Sequence, residues 1–413
     1  MDIVIEANKE SVILTSLNKS MRTDLSYKIT KNYPNVSKQV IEVSASPAGS
    51  ISTPAGKEIL FTLPRYGLMT GFVFENQLTT AGSNTSLIVS GTDGTVCPNV
   101  GLNIFETIEL RSHNRVICSN GDAYLRVRSN ACKLNEGLNI KHKSKAFSTD
   151  GVSLASAWVD TQIYTYTPFF CSFFEDQRNY LDLNFLEQLQ VRCVYNSTAR
   201  MGLNDALTAA TTTLWMSYYN MQSDHLAELR ARNFSPEKQL VMLGYDTYVE
   251  TGTLAATTST TIDLKCNNAV FATHIFVRNN AAGGEALPFS IKDVTVKLGG
   301  KTIYDAVPAH VMNWENQMKG GGGLLALEGV AASTYDKITI PTQPPPISIY
   351  WGLDSNERKY NSGAIAFHNV NNPQIILTHA TASTAYDYYV VHEFWQLVSI
   401  NPADGRLDVS ASL

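Results

Sequence analysis

The side chains best suited to chemistry are scattered along this chain. Its eight histidines are His113, His142, His225, His274, His310, His368, His379 and His392. None forms HxH, HExxH or an i, i+4 pair, the spacings that turn two imidazoles toward one metal ion. The six cysteines, Cys97, Cys118, Cys132, Cys171, Cys193 and Cys266, include no CxxC and no Cys/His cluster at ligand spacing. No GxSxG elbow, Walker loop or GxGxxG fingerprint occurs, so no motif marks a nucleophile or a phosphate cradle. Gly320–Gly323 reads as a flexible loop, because no GK[ST] follows it. Each histidine reads as a core or surface residue. No catalytic, cofactor-binding or metal-ligating residue and no cofactor is expected.

Two local features leave alternatives open. The cluster Lys141-His142-Lys143-Ser144-Lys145 is either a solvated loop or a patch for an acidic neighbour, an anionic lipid head or a receptor. The aromatic runs Tyr164–Phe174 and Tyr386–Trp395 could line a sugar site. At strand alternation they also suit a sandwich core or a subunit interface.

Composition narrows the classes of function. The formal net charge is -5, so no global basic field attracts nucleic acid, and no specific nucleic-acid partner is expected. Charged residues make up 17%, below the roughly 25% of ordinary soluble domains. A sparsely charged surface suits a protein that covers much of its outside with copies of itself. The unpatterned cysteines, with no secretory signal and no apolar run of the roughly 18 residues a span needs, suggest reduced thiols and synthesis in the cell interior. Five Asn-X-Ser/Thr sequons, at Asn18, Asn35, Asn84, Asn196 and Asn233, are then read as unmodified.

The elements that must position these residues are mostly strands, and they are written twice. Glu58–Gln77 aligns without a gap on Thr261–Asn280, placing Ile59 on Ile262, Thr70 on Thr273, Phe72 on Ile275 and Asn76 on Asn279. Four further blocks recur in the same order. Lys38–Ser46 pairs with Lys238–Asp246, and Thr107–Leu125 with Val294–Val311. Gln188–Ala199 pairs with Asn372–Ser383, and Thr213–Gln222 with Tyr388–Leu397. Repeated order of this kind indicates one β-domain duplicated.

The expected first-half strands are 38–45, 57–63, 68–78, 85–90, a hairpin over 103–118, 161–167, 189–196 and 213–222. The second half is expected to hold 239–250, 261–265, 269–279, a hairpin over 291–304, 337–340, 347–350, 364–367, 374–380 and 386–400. Helix is expected at Asp122–Cys132, Leu181–Leu186, Pro308–Lys319 and, between the halves, Asp224–Phe234. The fold class is therefore all-β: two tandem eight-stranded jelly-roll sandwiches with short helices. Residues 1–36 form an N-terminal arm whose Ile13, Leu14, Leu17, Met21 and Leu25 make one apolar helical face. Residues 37–235 form the first jelly roll with a connecting helix, and 236–413 the second.

The pattern resembles the double jelly-roll major capsid proteins of tailless icosahedral double-stranded DNA viruses, a family that includes tectiviruses, adenoviruses, polinton-like viruses, virophages and large eukaryotic DNA viruses. Lys38–Leu78 carries most of the likeness, with its Ser-Pro-Ala-Gly loop and Gly-Leu-Met-Thr-Gly-Phe strand. The hairpins around His113–Asn114 and Gly299–Gly300 and the terminal aromatic strands add to it. The resemblance implies a structural, non-enzymatic protein of the virion shell that works as a homotrimer. Three chains of two similar domains would give a pseudo-hexagonal capsomer. The implied partners are neighbouring capsomers in a hexagonal lattice and minor capsid or penton proteins, with an internal membrane beneath the shell left open. The alternative is a tandem jelly-roll glycan-binding protein or glycan-directed hydrolase.

Overall fold

The computed structural model describes residues 36–81, 88–89, 95–96, 100–131, 162–174, 181–201, 207–221, 227, 240–279, 291–312, 346–352, 363–380, 386–401 and 403–410. The first half supplies eight principal strands: β1 (Val36–Val43), β2 (Glu58–Thr62), β3 (Leu68–Thr80), β4 (Phe105–Ser112), β5 (Arg115–Gly121), β6 (Gln162–Pro168), β7 (Leu189–Tyr195) and β8 (Leu207–Met221). Helix α1 (Asp122–Ala131) follows β5 directly. The second half repeats the set: β9 (Leu240–Thr253), β10 (Ser259–Asp263), β11 (Ala269–Asn279), β12 (Ile291–Leu298), β13 (Lys301–Pro308), β14 (Ile347–Tyr350), β15 (Gln374–His379) and β16 (Tyr386–Ile400). A last strand, β17 (Leu407–Ser410), pairs back on β16.

Strand composition explains why these stretches lie half-buried. In β7, LQVRCVY alternates buried and intermediate residues without a break, so Leu189, Val191, Cys193 and Tyr195 point to one face, as a period of two requires. The two halves use the same strand order. One sheet of the first sandwich runs β1-β8-β3-β6 and the other β2-β7-β4-β5; the second sandwich runs β9-β16-β11-β14 and β10-β15-β12-β13. Every strand keeps its neighbours in both copies, and all of these pairings are antiparallel. Facing sheets of this order make a jelly roll, so the fold is a double jelly roll. Each pair of sheets encloses a core: Phe61, Phe74, Phe105, Val191 and Leu214 in the first, Ile262, Ile275, Val294, Ile375 and Val390 in the second.

Local irregularities recur too. β3 and β11 each carry a bulge at their third residue, Thr70 and Phe271. The hairpins β4–β5 and β12–β13 turn through His113–Asn114 and Gly299–Gly300, with positive φ at His113, Gly299 and Gly300, the geometry of tight two-residue hairpin turns. Each hairpin also bulges at one isoleucine. Cys118 faces Leu110 and Val116 faces Arg111, leaving Ile117 extra; Tyr304 faces Val296 and Thr302 faces Lys297, leaving Ile303 extra.

These landmarks correct parts of the sequence alignment. β2 and β10 start in step at Glu58 and Ser259, and β3 and β11 at Leu68 and Ala269. Gapless alignment is right, but the register is two residues off: Thr70 matches Phe271, not Thr273. The shift preserves which face each residue takes, so hydrophobic pattern alone could not expose it. The match of Lys38 with Lys238 slips further, because Lys38 lies opposite Tyr219 while Tyr245 lies opposite the equivalent Trp395.

Several elements also differ from expectation. Leu181–Leu186 is not helical: Leu181 and Asp182 pair with Met69 and Leu68, extending the edge of β3. Pro308 closes β13, and the helical turn that follows starts at residue 309. Within 85–90 the described residues are Ile88–Val89, a strand paired with Thr95–Val96. In place of a strand at 364–367, Ile365 makes an isolated bridge to Val270 and Phe367–Asn369 is a 3-10 turn. The arm, the Lys141–Lys145 cluster, Gly320–Gly323, the strand at 337–340 and, but for residue 227, the helix over Asp224–Phe234 lie outside the described residues.

Candidate functional site at the sandwich junction

A buried polar network among the described residues joins the two sandwiches. β5 and α1 of the first half lie against the outer face of the β9-β16-β11 sheet. A second apolar cluster forms there, shared between halves: Ala123, Tyr124 and Val127 from α1 pack with Leu243, Tyr245, Phe271, Phe276, Tyr389 and Trp395. Phe271 stacks on Trp395 at 4.3 Å between ring centroids, and Phe276 on Tyr389 at 5.1 Å. The Arg126 guanidinium lies 5.1 Å over the Phe276 ring, a cation–π contact.

Polar bonds rim and cross this cluster. The Gln396 amide donates to the carbonyl of the bulged Ile117 at 2.7 Å. The Ser119 amide N–H donates to Asp246 Oδ1 at 2.9 Å, and Thr247 Oγ1 donates to the Ser119 carbonyl at 3.1 Å. At the centre Asp122 accepts from Arg278 Nη1 at 2.7 Å and from Asn196 Nδ2 at 2.9 Å. Arg278 also donates to Asn103 Oδ1 at 3.2 Å. Burial works to raise the Asp122 carboxyl. The adjacent Arg278 guanidinium and the Asn196 amide outweigh that and hold it below the usual carboxylate range. Asp246 is the converse. Burial pushes its carboxyl up to about 7, although the backbone N–H groups of Ser119 and Thr247 bond to it.

The chain end tightens the same joint. Val398, Ile400 and Leu407 belong to the first sandwich's core, although Val398 and Ile400 end the second sandwich's last long strand and Leu407 follows it. Gly405, at φ 70°, accepts from the Glu187 amide at 2.9 Å, and Arg115 pairs with Asp408 at 2.6 Å. The two jelly rolls are therefore fastened at several independent points.

The six histidines among the described residues occupy the core and surface positions that their isolation in sequence suggested. His113 is exposed and pairs with Glu187 at 2.6 Å; His310 and His368 are exposed. Three are buried within the second sandwich. His274 bridges Ser348 and Glu393 at 2.7 and 3.1 Å. His392 lies between Thr273 at 3.0 Å and Glu250 at 3.2 Å, and His379 bonds Thr260 at 2.8 Å. These contacts join neighbouring strands of one sheet. Among the described residues no group of three or more His, Cys, Asp or Glu could hold a metal ion. Cys118, Cys171, Cys193 and Cys266 are buried thiols outside any disulfide, and burial pushes the Cys266 thiol up to about 11, away from the reactive thiolate. His142, His225, Cys97 and Cys132 lie outside the described residues.

The aromatic runs are largely taken up by packing. Phe169 and Phe173 enter the first core, and Tyr389 and Trp395 the junction. Sequence reasoning missed the residues that build the joint, chiefly Asp122, Arg278, Asp246 and Gln396. Asp122 is visible as a helix-starting acid, but its partner lies in the other sandwich, and no local spacing connects them.

No protein-family model matches the chain, and no curated protein sequence does. Solved structures do match in fold. PBCV-1 VP54, as fitted into a reconstruction of the virophage Sputnik, superposes with a TM-score of 0.67 at 13% identity, covering 93% of this chain and 98% of that one. The Faustovirus major capsid protein gives 0.60 at 8% identity, with 89% and 91% covered. The mavirus major capsid protein gives 0.53 at 10% identity, with 91% and 90% covered. Those structures span almost the whole chain, so the likeness extends over both sandwiches. At such identities it establishes a shared double jelly-roll fold.

Proposed function

We propose that this chain is the major capsid protein of an icosahedral double-stranded DNA virus, working as a homotrimer whose six similar sandwiches form a pseudo-hexagonal block. The observation that carries this reading is the rigid side-by-side fastening of two sandwiches with identical strand order. A repeated domain gives a threefold object six similar flanks, which lets one gene product tile a hexagonal lattice. The fold match to the PBCV-1 capsid and to the Faustovirus and mavirus major capsid proteins supports the same reading.

In this reading the protein is structural and needs no catalytic group. Residues 1–36 serve as an arm, 37–235 as the first jelly roll with its connecting helix, and 236–413 as the second. The protein is made inside the host cell and resides in the virion shell. There it meets neighbouring capsomers and the minor proteins of the vertices, above any internal membrane. Light scattering on the purified chain tests the core of the proposal. A mass three times the 45.4 kDa of one chain is expected, with hexagonal blocks in negative-stain images. A stable monomer at assembly concentrations would overturn it.

A further inference from the structure

The second sandwich buries a run of polar contacts where the first buries hydrocarbon. Counting from the bulges shared by β3 and β11, Thr273 stands where Phe72 stands. Across the ladders His392 then takes the place of Met216, Tyr248 that of Ile41 and Glu250 that of Val43. Phe72, Met216, Ile41 and Val43 all pack in the first core. In the second, Trp351 Nε1 donates to Thr273 Oγ1 at 2.9 Å, and Thr273 Oγ1 lies 3.0 Å from His392 Nδ1. His392 Nε2 lies 3.2 Å from Glu250 Oε1, which also accepts from the Lys265 amide at 2.7 Å. Thr273 and His392 are fully buried, and the Glu250 side chain is 8% exposed. An indole nitrogen only donates, so the threonine oxygen accepts from Trp351 and its hydroxyl donates to Nδ1. The imidazole proton then sits on Nε2, on the side of the carboxylate.

The first copy shows that a sandwich of this strand order has no need of such a network, since apolar side chains fill the same sites there. A buried polar network costs desolvation, and its best-attested use is to separate a right partner from a wrong one. We infer that Thr273, His392 and Glu250 form an identity lock that keeps β9 out of the first sandwich, and β1 out of the second, while the chain folds. The inference concerns pairing within one chain and is independent of the capsid reading.

The hazard that the lock meets follows from the duplication. β1 and β9 occupy the same edge place in sheets of the same strand order, so each fits β8 by topology alone. Chain order favours the wrong one, because β9 comes next after β8 and is made before its own partner β16. Along the chain Thr247 is about six times nearer to Ser217 than Val40 is, and loop closure alone then favours the wrong hairpin by roughly tenfold. The side chains reverse this. With β9 on β8 in the register of β1, Glu250 would lie opposite Leu214 and one strand from Phe74, both fully buried, with His392 left behind. A buried charge without its partner disfavours that pairing by about 10²–10³-fold, which outweighs proximity. The reciprocal exchange fails as well. β1 on β16 would set Ile41 and Val43 where Tyr248 and Glu250 stand, and the buried His392 would lose its carboxylate.

Cysteines can report the exchange. Ser217 and Thr247 belong to different sheets. They come directly opposite one another only if β9 pairs with β8, at a spacing that a disulfide spans. The full-length chain with Ser217→Cys and Thr247→Cys is unfolded in urea with reductant, refolded and oxidised, and the intrachain cross-link is read on a non-reducing gel. With the lock intact the cross-link should be scarce. Adding Glu250→Val, His392→Met and Thr273→Val gives the second core the apolar character of the first and should raise it at least tenfold. Glu250→Gln keeps an acceptor for the Lys265 amide, disturbs the fold least, and should raise it several-fold. Equal cross-linking in all three backgrounds overturns the inference. If the triple variant does not refold, the Glu250→Gln chain decides, and cross-linking no greater than with the lock intact overturns it.

Discussion

Removing the Asp122 carboxylate should weaken the joint between the sandwiches far more than losing a surface ion pair would. Its Oδ2 holds Arg278 and Asn196, and its Oδ1 accepts from the Ala123 amide at 2.7 Å. The Arg278 side chain is 1% exposed and Asp122 7%, so Asp122→Ala leaves a guanidinium buried with its charge uncompensated. Breaking a buried pair from one side costs about 3–5 kcal/mol, against at most ~1 kcal/mol for an exposed pair. Adding Arg278→Met removes the stranded charge, and much of the loss should return. Urea titration followed by tryptophan fluorescence reads this well, because Trp395 lies in the junction. The folded carboxyl lies below its unfolded value of about 3.9, so its contribution is complete above that pH and is lost as pH falls through the folded value. A single-variant loss near 1 kcal/mol, or a double variant no better than the sum of singles, would refute the view of this pair as the joint's electrostatic centre.

Two further outcomes are expected at the same joint. Asp246 titrates about 7 when folded, so its contribution is full below an unfolded value of about 3.9 and is lost as pH rises through about 7. Asp246→Asn should therefore abolish a fall in urea midpoint between pH 5 and pH 8; an identical fall in both proteins would exclude Asp246 as its source. Gly405→Ala places a Cβ at positive φ and 2.2 Å from the Phe185 carbonyl oxygen. A loss of at least ~1–3 kcal/mol is expected, with faster proteolysis near residues 403–410. An unchanged melting temperature and cleavage rate would show that the chain end is not clamped there.

The fold was legible because strand pattern and order are local properties. β7 alternates cleanly, β16 begins where its aromatic run begins, and the two hairpin turns announce themselves as His-Asn and Gly-Gly. Register was less legible, since a two-residue slip keeps every side chain on its own face. Leu181–Leu186 misled because its leucines suit a helix as well as an edge strand, and pairing with β3 decided the matter. The joint was invisible for a different reason. Asp122 and Arg278 meet only after two complete sandwiches have formed and docked, and a duplicated sequence does not say which copy of a surface is covered.

Duplication also leaves a chemical difference between the residues of the internal junction and their counterparts in the other copy of each sandwich, and in the proposed trimer that difference bears on assembly. Inside the chain the contact is fixed by Asp122 on Arg278; at the equivalent positions of the other copy stand Ala309 and Gln77. In the proposed trimer, a subunit contact built from these counterparts lacks the buried ion pair and is weaker than the internal one, as suits parts that must separate and re-form during assembly. Grafting the pair outward tests this directly. Ala309→Asp or Gln77→Arg alone would bury one unpaired charge at the subunit contact and should loosen the trimer. Together they should restore it and tighten it by roughly tenfold, about 1.4 kcal/mol. Concentration-dependent light scattering measures all three variants against wild type. If both single changes and the double change shift dissociation equally, the two positions do not face each other across the contact, and the correspondence drawn from the shared bulges is wrong.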